Sequence, residues 1–253
     1  MTEIVYWNSP LLASAGVTVR FYGRTGGHSS NHLASLNLGS KENDDPAALI
    51  ANEQLVLDHL GVQSLYLPTQ VHGKKIEVVQ HAEPGVTRGP EADAVWTDTS
   101  GLAVGVLTAD CVPILLTSEN ADFVGAIHAG WRGLHAGIIG EAIERITRLF
   151  CCRTFDLLAA IGPAIGPEDY EVSRELGQTF LTERPELQGI VWENRRKKPR
   201  LDLRKMALND LLHQGLCREC VEFVGPTTID PRCFSHRRDK GKTGRQLSAI
   251  FKP

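Results

Sequence analysis

The sequence has 253 residues, 42% of them hydrophobic and 23% charged, with a formal net charge of -3. A chain of this length buries roughly 70 to 75% of its unfolded surface, its composition is that of a soluble globular protein, and its small negative charge offers no general field for nucleic acid. The longest apolar runs, such as 102–107 and 112–116, fall well short of the ~20 residues of a bilayer span, so no transmembrane helix is expected.

The N-terminal segment MTEIVYWNSPLL carries Glu3 and lacks the basic segment and apolar run of a secretion signal. A cytoplasmic protein is expected. Val17 to Tyr22 reads as a strand that delivers the chain into GRTGGHSSNHLASLNLGS, a long loop without helical or strand period. Asp45-Pro46 opens a helix, Leu49, Ile50, Leu55, Val56 and Leu60 return near helical spacing, and Gly61 stops it. Strands are expected at Leu65 to Leu67 and Ile76 to Val79. Four more follow at Ala94 to Thr97, Leu102 to Leu107, Cys111 to Leu116 and Phe123 to Ile127.

From Gly133 the period changes, and Ile138, Ile139, Ala142, Ile143, Ile146 and Leu149 describe an amphipathic helix. Phe155 to Ile161 is an apolar strand ending in the constrained turn GPAIGP. Helices near Ser173 to Thr182 and over Leu203 to Leu212 precede a strand at Val221 to Val224. The tail CFSHRRDKGKTGRQLSAIF begins as a basic loop and finishes as a strand. With no repeat, low-complexity tract or linker, residues 1–253 are expected to form a single mixed α/β domain. The six cysteines, at 111, 151, 152, 217, 220 and 233, are unevenly placed and fit reduced thiols better than a disulfide framework. Cys217 and Cys220 form a CxxC pair with no second CxxC and no thioredoxin-like context.

The chemistry concentrates in TQVHG, LTADCVP and IHAGWRG. His72, Cys111 and His128 each sit beside an apolar strand-like run. Two imidazoles and a thiolate suit zinc, and three protein ligands leave a fourth position for water or substrate. Zinc lowers the pKa of bound water toward neutrality, which makes hydrolysis, deamination and phosphorolysis conceivable. The separations match no local zinc motif, so only the fold can assemble the site. The same residues support a metal-free reading, with Cys111 as nucleophile and His128 as the base that forms its thiolate. Asp110 would point to the opposite face from Cys111 within a strand and reads as a turn-forming or capping carboxylate.

Arg132, at the start of a helix in HAGWRG, is a candidate phosphate ligand. Arg237, Arg238, Lys240, Lys242 and Arg245 crowd a loop able to close over a charged ligand, and Arg24 and Asn37 are further candidate substrate contacts. The GKT at 241–243 is no P-loop, because His236 stands where the first glycine is required.

Taken together, RTGGHSSNHLASLNLG, TQVHG, ADAVWTD, LTADCVPILL, GAIHAGWRG, AIGPAIGPEDYEV, LDLRKMAL and FSHRRDKGKTGRQLSAI resemble the YfiH family. Its members have been called laccase-domain or polyphenol oxidase proteins, purine nucleoside phosphorylases and peptidoglycan editing factors. The resemblance implies two packed mixed β-sheets flanked by helices, related to a cysteine-dependent deamidase. It implies His72, Cys111 and His128 as metal ligands, for zinc or alternatively copper. Ala164, Glu168 and Asp169 stand where many members carry cysteines, and His236 where relatives often carry Tyr. A four-copper oxidase needs about ten histidines, largely in His-x-His pairs. This chain has nine histidines and no such pair, which disfavours laccase chemistry. The leading expectation is therefore a zinc enzyme for phosphorolysis of adenosine, inosine and methylthioadenosine with adenosine deamination, its partners a purine nucleoside and phosphate. The alternative is an amidase that acts on UDP-MurNAc cell-wall precursors carrying a misincorporated residue, by the metal or by Cys111. A non-catalytic metal-holding protein ranks last.

Overall fold

The computed structural model describes residues 3–191 and 198–253. In chain order, β1 (Tyr6–Trp7) and β2 (Thr18–Tyr22) flank the one-turn helix α1 (Pro10–Ala13). Helix α2 (Pro46–Leu60) precedes β3 (Ser64–Thr69), β4 (Ile76–Val78), β5 (Gly85–Glu91), β6 (Ala94–Thr97), β7 (Leu102–Thr108), β8 (Val112–Ser118) and β9 (Val124–Ala129). After α3 (Trp131–Ala136) and α4 (Ile138–Phe150) come β10 (Leu157–Ile161), α5 (Arg174–Glu183) and the short pair β11 (Ile190–Val191) and β12 (Arg200–Leu201). Helix α6 (Leu203–His213), β13 (Val221–Phe223) and β14 (Gln246–Phe251) complete the chain.

Two six-stranded mixed sheets result. One has the order β1-β2-β14-β7-β3-β5 and the other β13-β10-β8-β9-β6-β4. Side chains alternate across a strand, and the alternation divides the core into three apolar layers. Val19, Phe21, Val104 and Ile250 of the first sheet meet Val95, Leu115, Val124 and Ala160 of the second. The outer face of the first sheet, with Leu65, Leu67 and Leu247, packs on Val56, Leu57 and Leu60 of α2. The outer face of the second, with Trp96, Ile114 and Ile161, packs on Ile143 of α4, Phe180 of α5 and Met206 of α6. Strands covered on both faces read as continuous apolar runs, and every residue of β8 is buried.

Local chemistry sets the helix limits. The Asp45 side chain accepts from Ala47 N, Pro46 takes the first turn, and Gly61 closes α2 at φ 74°. Ser173 caps α5 and Asp202 caps α6 in the same way.

Several expectations need correction. Strand β8 begins at Val112, because Asp110 adopts φ 101° and turns the chain from one sheet to the other. Residues 154–156 form a 3-10 turn, so β10 starts at Leu157 rather than at Phe155. Strand β5 has no counterpart in the sequence reading. Cys217 and Cys220 form a disulfide, since the 3-10 turn at 218–220 brings their Cα atoms to 5.1 Å. The other four cysteines are free. Among the described residues no helix is long and apolar enough to cross a membrane.

Candidate metal centre

Three chain reversals meet at one end of the sheets. His72 follows β3, Cys111 lies in the turn from β7 to β8, and His128 is the fifth residue of β9. Antiparallel pairing of β8 with β9 sets Pro113 against His128 and Val112 against Ala129, which brings the Cys111 turn beside Gly130. The ligating atoms of His72, Cys111 and His128 lie within 4.8 Å of one another. The Cys111 Sγ is 3.7 Å from His72 Nε2, and the two imidazoles meet edge to face with centroids 4.8 Å apart.

One carboxylate organises both histidines. Asp93, fully buried just before β6, accepts from His128 Nδ1 at 2.7 Å. The same carboxylate receives the backbone N–H groups of Val71, His72 and Gly73 at 3.3, 2.9 and 2.7 Å. Those three bonds hold His72 at φ 61°, a left-handed conformation rare outside glycine. Binding Nδ1 to a carboxylate fixes the ring so that Nε2 is the ligating nitrogen, the usual support of a metal-bound histidine. Asp93 stays below the ordinary carboxylate range: burial opposes its charge, and the His128 bond and the backbone donors outweigh burial.

The electrostatics of Cys111 and His128 are coupled. Burial disfavours the thiolate, yet the charge and hydrogen bonds of His128, with those of His72, bring Cys111 down to about 6. Burial likewise disfavours the imidazolium, and Cys111 and Asp93 raise His128 to about 9. A negative sulfur facing a positive ring is a pair that a divalent cation can replace, because thiolate and neutral imidazole are the zinc-ligating forms.

The residues fit a metal on a second count. A Cβ built on Gly130 would stand 2.9 Å from both Cys111 Sγ and His72 Cδ2. Only glycine leaves that space open. Among the described residues this is the one group of three or more such donors able to hold a metal.

The triad forms part of the wall of a cleft of about 560 Å³, which also includes Gln70, Thr108, Asp110, Trp131, Arg132, Tyr170, His236 and Arg237. Arg132 is exposed and its guanidinium stacks 4.5 Å from the Trp131 ring. Arg184 anchors this corner by donating to Leu134 O and to His135 O while pairing with buried Asp210. Arg237 lies 4.8 Å over Tyr170. Asp110 lies in the turn rather than in a strand and accepts from Thr228 Oγ1 at 2.5 Å and from Arg237 N at 2.6 Å, so it ties the cysteine turn to the basic loop.

The other two sequence candidates lie outside the cleft wall. Arg24 donates through Nε to Ala34 O at 2.7 Å, pairs with Asp239 at 3.9 Å and stacks on Phe234. Asn37 is fully buried, accepts from Gly39 N and Arg245 N and donates to Asp44. Both hold loops. Within the basic loop, Arg238 is turned onto the carbonyls of Thr228, Asp230 and Cys233, which leaves His236, Arg237 and Arg245 on the cleft. Asp93 and Arg184 were missed by residue-type reasoning. The signal for Asp93 was a lone carboxylate opening the apolar strand of ADAVW.

A family model described as multi-copper polyphenol oxidoreductase laccase matches residues 18–252. The chain is 37% identical over 248 residues to the purine nucleoside phosphorylase PA4543 of Pseudomonas aeruginosa, covering 97% of this chain and 96% of that protein. It is 32% identical to the purine nucleoside phosphorylase YfiH of Shigella flexneri, covering 99% of each. The crystal structure of YlmD from Geobacillus stearothermophilus superimposes with a TM-score of 0.90 at 30% identity, covering 99% of this chain and 97% of that one.

Proposed function

The chain belongs to the YfiH (DUF152) family, the family of that laccase model, and on that premise we propose that it is a zinc-dependent purine nucleoside phosphorylase. Its substrates in this reading are adenosine, inosine and S-methyl-5′-thioadenosine, with adenosine deamination as a second activity. The carrying observation is the convergence of His72, Cys111 and His128 with Arg132 and Arg237 on one cleft. The names of relatives at 32 and 37% identity support the same reaction.

His72, Cys111 and His128 would hold the metal, with copper as the alternative ion. A metal there supplies Lewis-acid polarisation of an approaching oxygen. Asp93 keeps the His128 ring oriented and fixes the backbone of His72. Arg132 and Arg237, each with its guanidinium carbon over an aromatic ring, would supply cationic donors suited to phosphate oxygens. Trp131 and Tyr170 offer apolar surface for a purine. Laccase chemistry is disfavoured, since nine histidines without a His-x-His pair cannot supply a four-copper ligand set.

A second reading has its own observation. Asp93, His128 and Cys111 stand in the order carboxylate, imidazole, thiol, the arrangement of a cysteine hydrolase. In that reading Cys111 attacks the amide of a UDP-MurNAc precursor carrying a misincorporated residue. Chromatography of products from inosine with and without phosphate, beside products from such a precursor, separates the two. Hypoxanthine released only with phosphate supports the phosphorylase. A free amino acid released from the precursor, with inosine untouched, replaces it with the amidase.

A further inference from the structure

The cleft contains a phenol that the chemistry above uses only as a surface. Tyr170 follows the GPAIGP turn after β10 and shares the cleft with Cys111 and His128. Asp110, Arg132 and Arg237 line the same cleft. The Tyr170 hydroxyl makes no hydrogen bond to another described residue. Its position is nevertheless fixed. Arg237 Nη1 donates to the carbonyls on either side, Asp169 O at 3.4 Å and Glu171 O at 2.9 Å, while its guanidinium covers the ring. Arg237 is itself held by Asp110, next to the ligand Cys111. Leu201 N closes the far side by donating to Tyr170 O. A rigidly held donor with an unused O–H is the device that stabilises charge developing in a transition state.

We infer that Tyr170 is a catalytic residue whose O–H donates a hydrogen bond to the purine as it leaves the sugar. The inference rests on the phosphorylase reading. In that reaction a phosphate oxygen bonds to C1′ while the C1′–N9 bond breaks, and the bonding electron pair remains on the base. The proton that monohydrogen phosphate loses on becoming the sugar phosphate ends, through solvent, on the released base. Tyr170 stabilises the negative base between those events and keeps its own proton. A phenol ordinarily ionises near 10, and burial pushes this one up to about 12, so the donor is present throughout the working range.

The test uses the full-length zinc-loaded protein and Tyr170→Phe, which keeps the ring beneath Arg237 and removes only the hydroxyl. With inosine and phosphate, kcat is expected to fall about 100-fold, with zinc content and KM for phosphate unchanged. With 7-methylinosine, whose base already carries a positive charge and leaves neutral, the loss is expected to be far smaller. Equal losses on both nucleosides, or full activity on inosine, overturn the inference and leave the phosphorylase reading standing. A wild-type protein that cleaves neither nucleoside overturns both.

Discussion

The carboxylate of Asp93 accepts from Nδ1 of His128 at 2.7 Å, and both residues are buried. That bond joins a ligand on β9 to the turn that presents His72, because the same carboxylate takes three backbone N–H groups of residues 71–73. The geometry of two ligands thus depends on one side chain that would touch no metal.

Asp93→Asn is expected to weaken zinc affinity by about 10- to 100-fold, read by competition with a chromophoric chelator. Asp93→Ala also strands buried donors, each costing about 1–3 kcal/mol, so its urea midpoint should fall as well. Unchanged zinc affinity in Asp93→Asn would contradict the role given to this carboxylate.

Gly130→Ala places a methyl group within 2.9 Å of the Cys111 sulfur and the His72 ring. The variant is expected to fold, since Gly130 has an ordinary negative φ. Its zinc stoichiometry should collapse, because the ligands must spread. Zinc content by elemental analysis beside a thermal melt separates loss of the site from loss of the fold.

Metal-free protein should show a stability plateau against pH. Cys111 ionises at about 6 when folded against an ordinary 9.0, so its contribution is complete above the unfolded value and is lost as pH falls through 6. His128 ionises at about 9 against 6.5, so its contribution is complete below 6.5 and is lost as pH rises through 9. Across about 6.5 to 9 the folded pair of thiolate and imidazolium and the unfolded pair of thiol and neutral imidazole carry the same number of protons, so the two contributions offset and the urea midpoint should stay level, with only a small drop as pH falls from 6.5 to 6. Cys111→Ala removes the offsetting contribution and leaves His128 with Asp93 alone, so the variant's midpoint should fall as pH rises above 6.5, and a profile as level as the wild type's would refute the pairing.

Arg132→Ala is expected to raise KM for phosphate by about tenfold, the loss of one charge-assisted contact, and Arg237→Ala to do the same while also lowering kcat, because Arg237 holds the backbone on both sides of Tyr170. Arg24→Ala should instead lower the melting temperature and leave KM for phosphate alone, because its guanidinium is engaged with Ala34 O, Asp239 and Phe234. Phosphate saturation curves for the three variants decide the matter.

Much of this molecule is legible in its sequence where chemistry is local. The cap at Asp45, the stop at Gly61 and the apolar runs of β7 and β8 announce their elements without tertiary help. Strand β5 does not, because GVTRGPE mixes glycine, proline and charge and is held as an edge strand by parallel pairing with β3. The division into two sheets is hidden too: β7 and β8 read alike, and only the turn at Asp110 sends them to different layers. At the site, His72, Cys111 and His128 stand out by residue type. Asn37 and Arg24 look equally suited to a substrate. What separates them is distant contact, such as the bond from Arg245 N to Asn37 across 208 residues, which no local pattern carries.

The most direct test of the central claim is zinc content together with product chromatography from inosine, with and without phosphate, for wild type and Cys111→Ala. The account predicts near-stoichiometric zinc and phosphate-dependent hypoxanthine in the wild type, both lost in the variant. Zinc-loaded wild type that releases no hypoxanthine, or a variant that keeps both metal and turnover, would contradict it.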